Sequence, residues 1–211
     1  MRRHMRYLAS TLVLAALAAV SVGAQSTAGW KVRADRSTSA ADPDGAGAIK
    51  FTPMGDGFHA VNPQAAVYWH PNNSASGAYT LKGTFTLNEP SSHTNYYGLV
   101  FGGSHLDSVE QAYTYFVVAQ NGTFLVKRRV GDAKTEDVVA KTAHVAVKQP
   151  DASGKSTNAL EVRVKADTID YVVNGTVVHS GPKAGVTTDG TWGLRVNHQL
   201  NVGISGLAVS K

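Results

Sequence analysis

The chain has 211 residues, 43% hydrophobic and 17% charged, with 20 basic and 15 acidic side chains and no cysteine. Without disulfides the fold must rest on core burial. The formal net charge of +5 is partly local: three arginines and no acid lie in residues 1–24, leaving 17 basic against 15 acidic side chains elsewhere, a balance that argues against a nucleic-acid surface.

The first 24 residues open with Arg2, Arg3 and Arg6. An apolar run from Leu8 to Val20 follows, then Val22-Gly23-Ala24. This order of basic, apolar and small residues is that of a secretory signal peptide. The run is shorter than the roughly 20 residues a membrane-spanning helix needs. Cleavage is expected after Ala24, leaving Gln25 first, with no membrane span and an exported protein, periplasmic or extracellular. Residues 25–211 then form one domain.

The remaining chain reads as short strands separated by turns. Trp30–Ala34 is a first strand, followed by a polar loop carrying Asp42-Pro43-Asp44-Gly45, a turn signal. Strands are predicted at Ile49–Met54, Phe58–Val61 and Ala65–Trp69, with a break at His70-Pro71-Asn72-Asn73-Ser74. Tyr79–Leu87 alternates, with Tyr79, Leu81, Phe85 and Leu87 on one face. Tyr96–Phe101 and Tyr113–Gln120 flank Gly102–Gln111, a loop long enough to carry function. Asn121-Gly122 turns the chain into Phe124–Val130, whose Lys127-Arg128-Arg129 reads as a solvated strand face. Weaker strands are expected at Val138–Lys141 and His144–Val147.

Asn158–Ser180 carries the clearest pattern. Leu160, Val162 and Val164 point one way, and Glu161, Arg163 and Lys165 the other. Ile169, Tyr171 and Val173 repeat the period of two. Asn174-Gly175 favours the type I′ turn of a two-residue hairpin. Trp192–Val196 and Asn201–Val209 close the chain. In Trp192–Val196, Trp192, Leu194 and Val196 form the core face, and Arg195 and Asn197 point away from it. A dozen short strands so spaced form an all-β, antiparallel sandwich or barrel.

Five segments in this order carry a resemblance: Tyr96–Gly103, Tyr113–Gly131, Asn158–Val164, Val172–Val178 and Gly193–His198. They resemble secreted bacterial domains of the concanavalin A-like lectin/glucanase superfamily, in particular 3-keto-disaccharide hydrolase-like and laminin-G-like domains. The resemblance covers most of residues 48–210 and implies a two-sheet jelly-roll sandwich. It implies a saccharide or glycan as ligand, and leaves open a lectin, a hydrolase or an adhesion module, because fold does not decide function.

The glucanase motif of that superfamily, Glu-x-Asp-x-x-Glu, has no match around Glu89, Glu110, Glu136 or Glu161. Retaining hydrolysis needs two carboxylates about 5 Å apart, and no sequence pattern supplies them. No two of the histidines between His59 and His198 have metal-ligand spacing. Asp42, Asp44 and Gly45 start like a calcium loop without its later ligands. No metal or cofactor is therefore expected. Sugars offer flat C–H faces to aromatic rings and hydroxyls to planar polar groups. Trp69, His70, Tyr97, Arg195 and His198 are the candidate ligand-binding residues, on a concave sheet face and its bordering loops. The expected function is a secreted, non-catalytic carbohydrate-recognition domain. The alternatives are a saccharide-acting hydrolase or lyase, and a structural or adhesion module.

Overall fold

Alternating apolar and polar side chains become strands along nearly the whole chain. The computed structural model describes residues 26–37 and 39–211; the expected signal peptide, residues 1–24, lies outside them. Among the described residues there are fourteen strands, numbered in chain order, in two antiparallel sheets of seven. No helix there is long and apolar enough to cross a membrane.

The first sheet runs, in spatial order, β1 (Lys31–Asp35), β4 (Ala65–Ala75), β13 (Gly190–Val196), β6 (Tyr96–Ser104), β7 (Ala112–Ala119), β8 (Thr123–Val130) and β9 (Lys134–Ala143). The second runs β12 (Thr176–Pro182), β11 (Thr168–Val173), β10 (Ser156–Val164), β5 (Tyr79–Glu89), β14 (Leu200–Ser210), β3 (Gly57–Asn62) and β2 (Lys50–Met54). The sheets face each other across one core. Tyr68, Leu99, Phe116 and Leu194 enter it from the first sheet; Phe58, Phe85, Val162 and Tyr171 enter from the second. This is the jelly-roll sandwich that the sequence leads one to expect.

The β10–β11–β12 meander has the expected parity. Leu160, Val162, Val164, Ile169, Tyr171 and Val173 are all buried in the common core. Asn174 and Gly175 have φ of 50° and 81°, the pair of positive values that a type I′ turn requires. Asn174 also ties the hairpin down, donating to the Ala146 carbonyl at 2.8 Å and accepting from the Ala159 amide at 2.9 Å.

Several strands run longer than expected, β9 from Lys134 and β6 to Ser104 among them, and two differences have a physical reason. β4 continues through Pro71 to Ala75. Its partner β1 ends opposite Trp69, so beyond that point β4 is an edge on that side and Pro71 forfeits no ladder bond. His144–Val147 is a turn rather than a strand: Val145 is 99% exposed and Val147 plugs the core. The basic run on β8 is neutralised residue by residue. Lys127 pairs with Asp137 at 3.2 Å, Arg128 with Glu136, and Arg129 with Asp35.

The outward faces of the two sheets differ, and this difference locates the site. Outward on the second sheet lie Lys82, Thr84, Thr86, Glu161 and Arg163, an ordinary polar surface with a Glu161–Arg163 pair at 2.7 Å. Outward on the first sheet lie Val67, Trp69, Val100, Tyr113, Tyr115, Val117 and Leu125, buried against one another in a second apolar cluster with Leu106. β6 and β7 are thus buried on both faces. The chain itself covers this apolar face, whose residues are only 0–7% exposed, so what it offers a ligand lies at its polar edge.

Candidate functional site

The outward face of the first sheet is concave, and its ion pairs show how strongly. β1 is the first strand in the sheet and β8 the sixth. At about 4.8 Å per strand a flat sheet would hold them roughly 24 Å apart. Yet Asp35 on β1 pairs with Arg129 on β8. A second pair spans the same gap, Arg33 with Asp132 in the β8–β9 turn at 2.8 Å, and Lys31 reaches Asp107 in the β6–β7 loop at 3.0 Å. β1 therefore straps the open side of a curled sheet. Gln111 and Arg33 hold the Asp132 carboxyl below the usual carboxylate range, and Lys31 does the same for Asp107.

Arg195 sits at the centre of this face. Its neighbours on the adjoining strands are Gly98 on one side and Val67 on the other. The fork donates to Asn197 Oδ1 at 3.0 Å, Tyr113 Oη at 2.9 Å and Asp35 Oδ2 at 2.7 Å. It also lies 5.3 Å from the centre of the Tyr115 ring, a cation–π contact. Burial works against its charge, but Tyr113, Asp35 and Tyr115 outweigh that and raise its pKa above the ordinary arginine value. Arg129 completes the set, donating to the Asp132 carbonyl at 2.7 Å. Two donors of this network, Arg33 Nη1 and Arg129 Nε, have no acceptor among the described residues.

At one end the face opens into a depression of about 530 Å³ lined by Asp35, Arg129, Asp132, Arg195, Asn197 and His198, among others. That is within the roughly 300–1,000 Å³ of small-ligand sites. A second depression of about 420 Å³, between residues 45–48 and the start of β14, contains no guanidinium.

The five candidate residues separate into three groups. Trp69 and Arg195 lie on the same concave face, as the β4–β13 register requires, and each is only 6% exposed. His198, in the β13–β14 turn, lines the depression with Arg195. Tyr97 and His70 do not join them. Tyr97 is fully buried in the inter-sheet core: with Leu99 and Phe101 it forms the inward face of β6, so it leaves the candidate set. His70 has the parity opposite to Trp69; its ring packs edge-on to Trp30 at 6.3 Å and its Nδ1 accepts from the Asn72 amide at 3.2 Å.

Sequence reasoning missed Asp35 and Arg129; Tyr113 and Tyr115 are buried packing residues that also touch the Arg195 guanidinium. A signal for the face did exist. Tyr96–Gly103 and Tyr113–Ala119 are apolar almost without interruption, which marks strands buried on both sides.

No protein-family model matches the chain, and no curated protein sequence matches it. Solved structures do. The chain is similar to the carbohydrate-binding module CBM66 from Bacillus subtilis, with 12% identity, 87% of this chain and 96% of that one covered, and a TM-score of 0.60. It is similar to a protein of unknown function with a galectin-like fold from Bacillus subtilis (10% identity, 85% and 88% covered, TM-score 0.56). It is also similar to the carbohydrate recognition domain of Emp46p in its potassium-bound form (13% identity, 83% and 85% covered, TM-score 0.50). The chain carries a jelly-roll, lectin-like fold. At these identities the likeness is one of fold, and the chemistry has to come from the concave face itself.

Proposed function

We propose that the protein is an exported, non-catalytic carbohydrate-recognition domain that binds a saccharide at the open end of the concave sheet. The observation that carries this reading is the Arg195 cluster: a buried guanidinium fixed between Asp35, Asn197 and Tyr113 beside the Tyr115 ring. Planar, charge-fixed hydrogen-bonding groups next to aromatic surface match the alternating polar and C–H faces of a sugar. Residues 1–24 supply the reading of export, and lectin-like neighbours with the same fold support a saccharide as the ligand.

The non-catalytic part rests on the carboxylates. Asp35 and Asp132 line the depression, and each is engaged by arginine. A general acid for glycoside cleavage needs a carboxyl whose pKa is raised, whereas Asp132 is pulled down. Asn197 is the residue best suited to a test, being half-buried at the rim and bonded to Arg195. In calorimetric titrations against a panel of neutral and acidic oligosaccharides, at least one sugar is expected to bind the intact protein. Asn197→Ala is expected to weaken that binding about tenfold, the worth of one hydrogen bond, with little change in melting temperature. Release of reducing ends from any member of the panel would favour the hydrolase reading. No binding across the panel would favour the adhesion module.

A further inference from the structure

We propose that Asp42, His93 and His198 form a zinc site at the rim of the concave face. The three side chains come from three separate segments: the loop between β1 and β2, the loop between β5 and β6, and the β13–β14 turn. They converge on a common point. His93 Nε2 and His198 Nε2 lie 2.6 and 3.0 Å from Asp42 Oδ1, and 3.0 Å from each other. Their candidate ligand atoms all fall within 4.8 Å of one another. Tetrahedral zinc, with bonds of about 2.0–2.2 Å to imidazole nitrogen and carboxylate oxygen, sets its ligand atoms about 3.3 Å apart. The observed triangle reaches that size by opening two of its edges by about 0.3 Å and the His93–Asp42 edge by about 0.7 Å. Two imidazoles and one carboxylate, with solvent in the fourth position, is a zinc donor set; calcium would require six to eight oxygens.

A second observation concerns the far sides of the rings. His198 Nδ1 faces Asp44 Oδ1 at 3.4 Å, and among the described residues that buried oxygen has no hydrogen-bond partner. The other Asp44 oxygen is fixed by the Ser37 amide at 3.0 Å. A carboxylate behind a histidine orients the ring and makes its metal-facing nitrogen the lone-pair side. On His93 the corresponding contact is Nδ1 with Ser92 Oγ at 3.2 Å. Asn95 Nδ2 lies 3.1 Å from His93 Nε2; it yields that nitrogen to the metal and retains Ser91 Oγ at 3.5 Å. Zinc here would pin the β1–β2 loop to the sheet edge beside Asn197, fixing one wall of the depression whatever ligand that depression takes.

The test uses untagged protein, stripped with chelator and titrated with zinc chloride by calorimetry, with thermal melts in parallel. One zinc per chain is expected, with a rise in melting temperature. His93→Ala and Asp42→Asn, both at exposed or half-exposed positions, should abolish the high-affinity site. Asp44→Asn should weaken it by about 10–100-fold, as removal of an orienting partner does. His179→Ala, outside the cluster, should bind as the wild type does. Absence of saturable zinc binding in the wild type, or unchanged affinity in both His93→Ala and Asp42→Asn, would overturn the proposal. Sugar binding is read separately, so either conclusion can fail without the other.

Discussion

Arg195→Ala is expected to destabilise the protein by about 3–5 kcal/mol, the cost of breaking a buried ion pair by removing one partner. The guanidinium is 6% exposed. Its removal deletes the bonds to Asp35, Tyr113 and Asn197 together and withdraws the cation from the Tyr115 ring. Asp35 keeps Arg129, which places the expected loss toward the lower end. Arg195→Lys should restore little, because one ammonium cannot reproduce a planar fork aimed at three acceptors. A urea melt measures both. A loss below about 0.5 kcal/mol, the usual size of a surface substitution, would mean that the side chain is solvated and the network does not exist. Because Arg195 is structural as well as central, it makes a poor probe of ligand binding, and Asn197 a better one.

Gly193→Ala is expected to cost on the order of 3 kcal/mol, at the upper end of overpacking penalties. Gly193 stands opposite Trp69 on β4, next to the register shift in β13. A Cβ added there would lie 2.0 Å from the Tyr68 carbonyl oxygen and 3.2 Å from the Trp69 Cα. Neither atom can swing aside, since both belong to the backbone of β4, which is paired on its other side with β1. Tyr68 is anchored too, its hydroxyl bonding Asn62 at 2.5 Å. The strands would have to separate directly beneath Trp69. Gly45→Ala is the matched control: its added Cβ would meet Pro63 at an ordinary 3.4 Å, and little change in the melt is expected. Equal behaviour of the two variants would contradict the close approach of β13 and β4.

What could be read from the sequence was local. Alternation in Leu160–Val173 gave strands, parity and a turn type, because a period of two depends only on neighbours along one strand. Parity set Arg195 opposite Trp192 and Leu194, but that Trp69 shares its face follows only from the β4–β13 register. Burial on that face depends on the curl of the sheet, which brings β1 over β8 and turns an apparently solvated arginine into a buried one. Tyr97 shows parity overlooked: it alternates with Leu99 and Phe101 and belongs to the core. The Asp42–His93–His198 cluster was invisible for a different reason. His93 and His198 are 105 residues apart, and no spacing rule spans ligands that three separate loops deliver.

The account turns on the concave face of the first sheet being the surface that meets sugar. Amide chemical-shift mapping during titration with the oligosaccharide panel tests this most directly. The expected shifts are saturable and centre on Asp35, Tyr113, Tyr115, Arg195 and Asn197, with Lys82, Thr84 and Arg163 on the opposite sheet unmoved. Shifts centred on that opposite sheet, or none with any sugar, would contradict it.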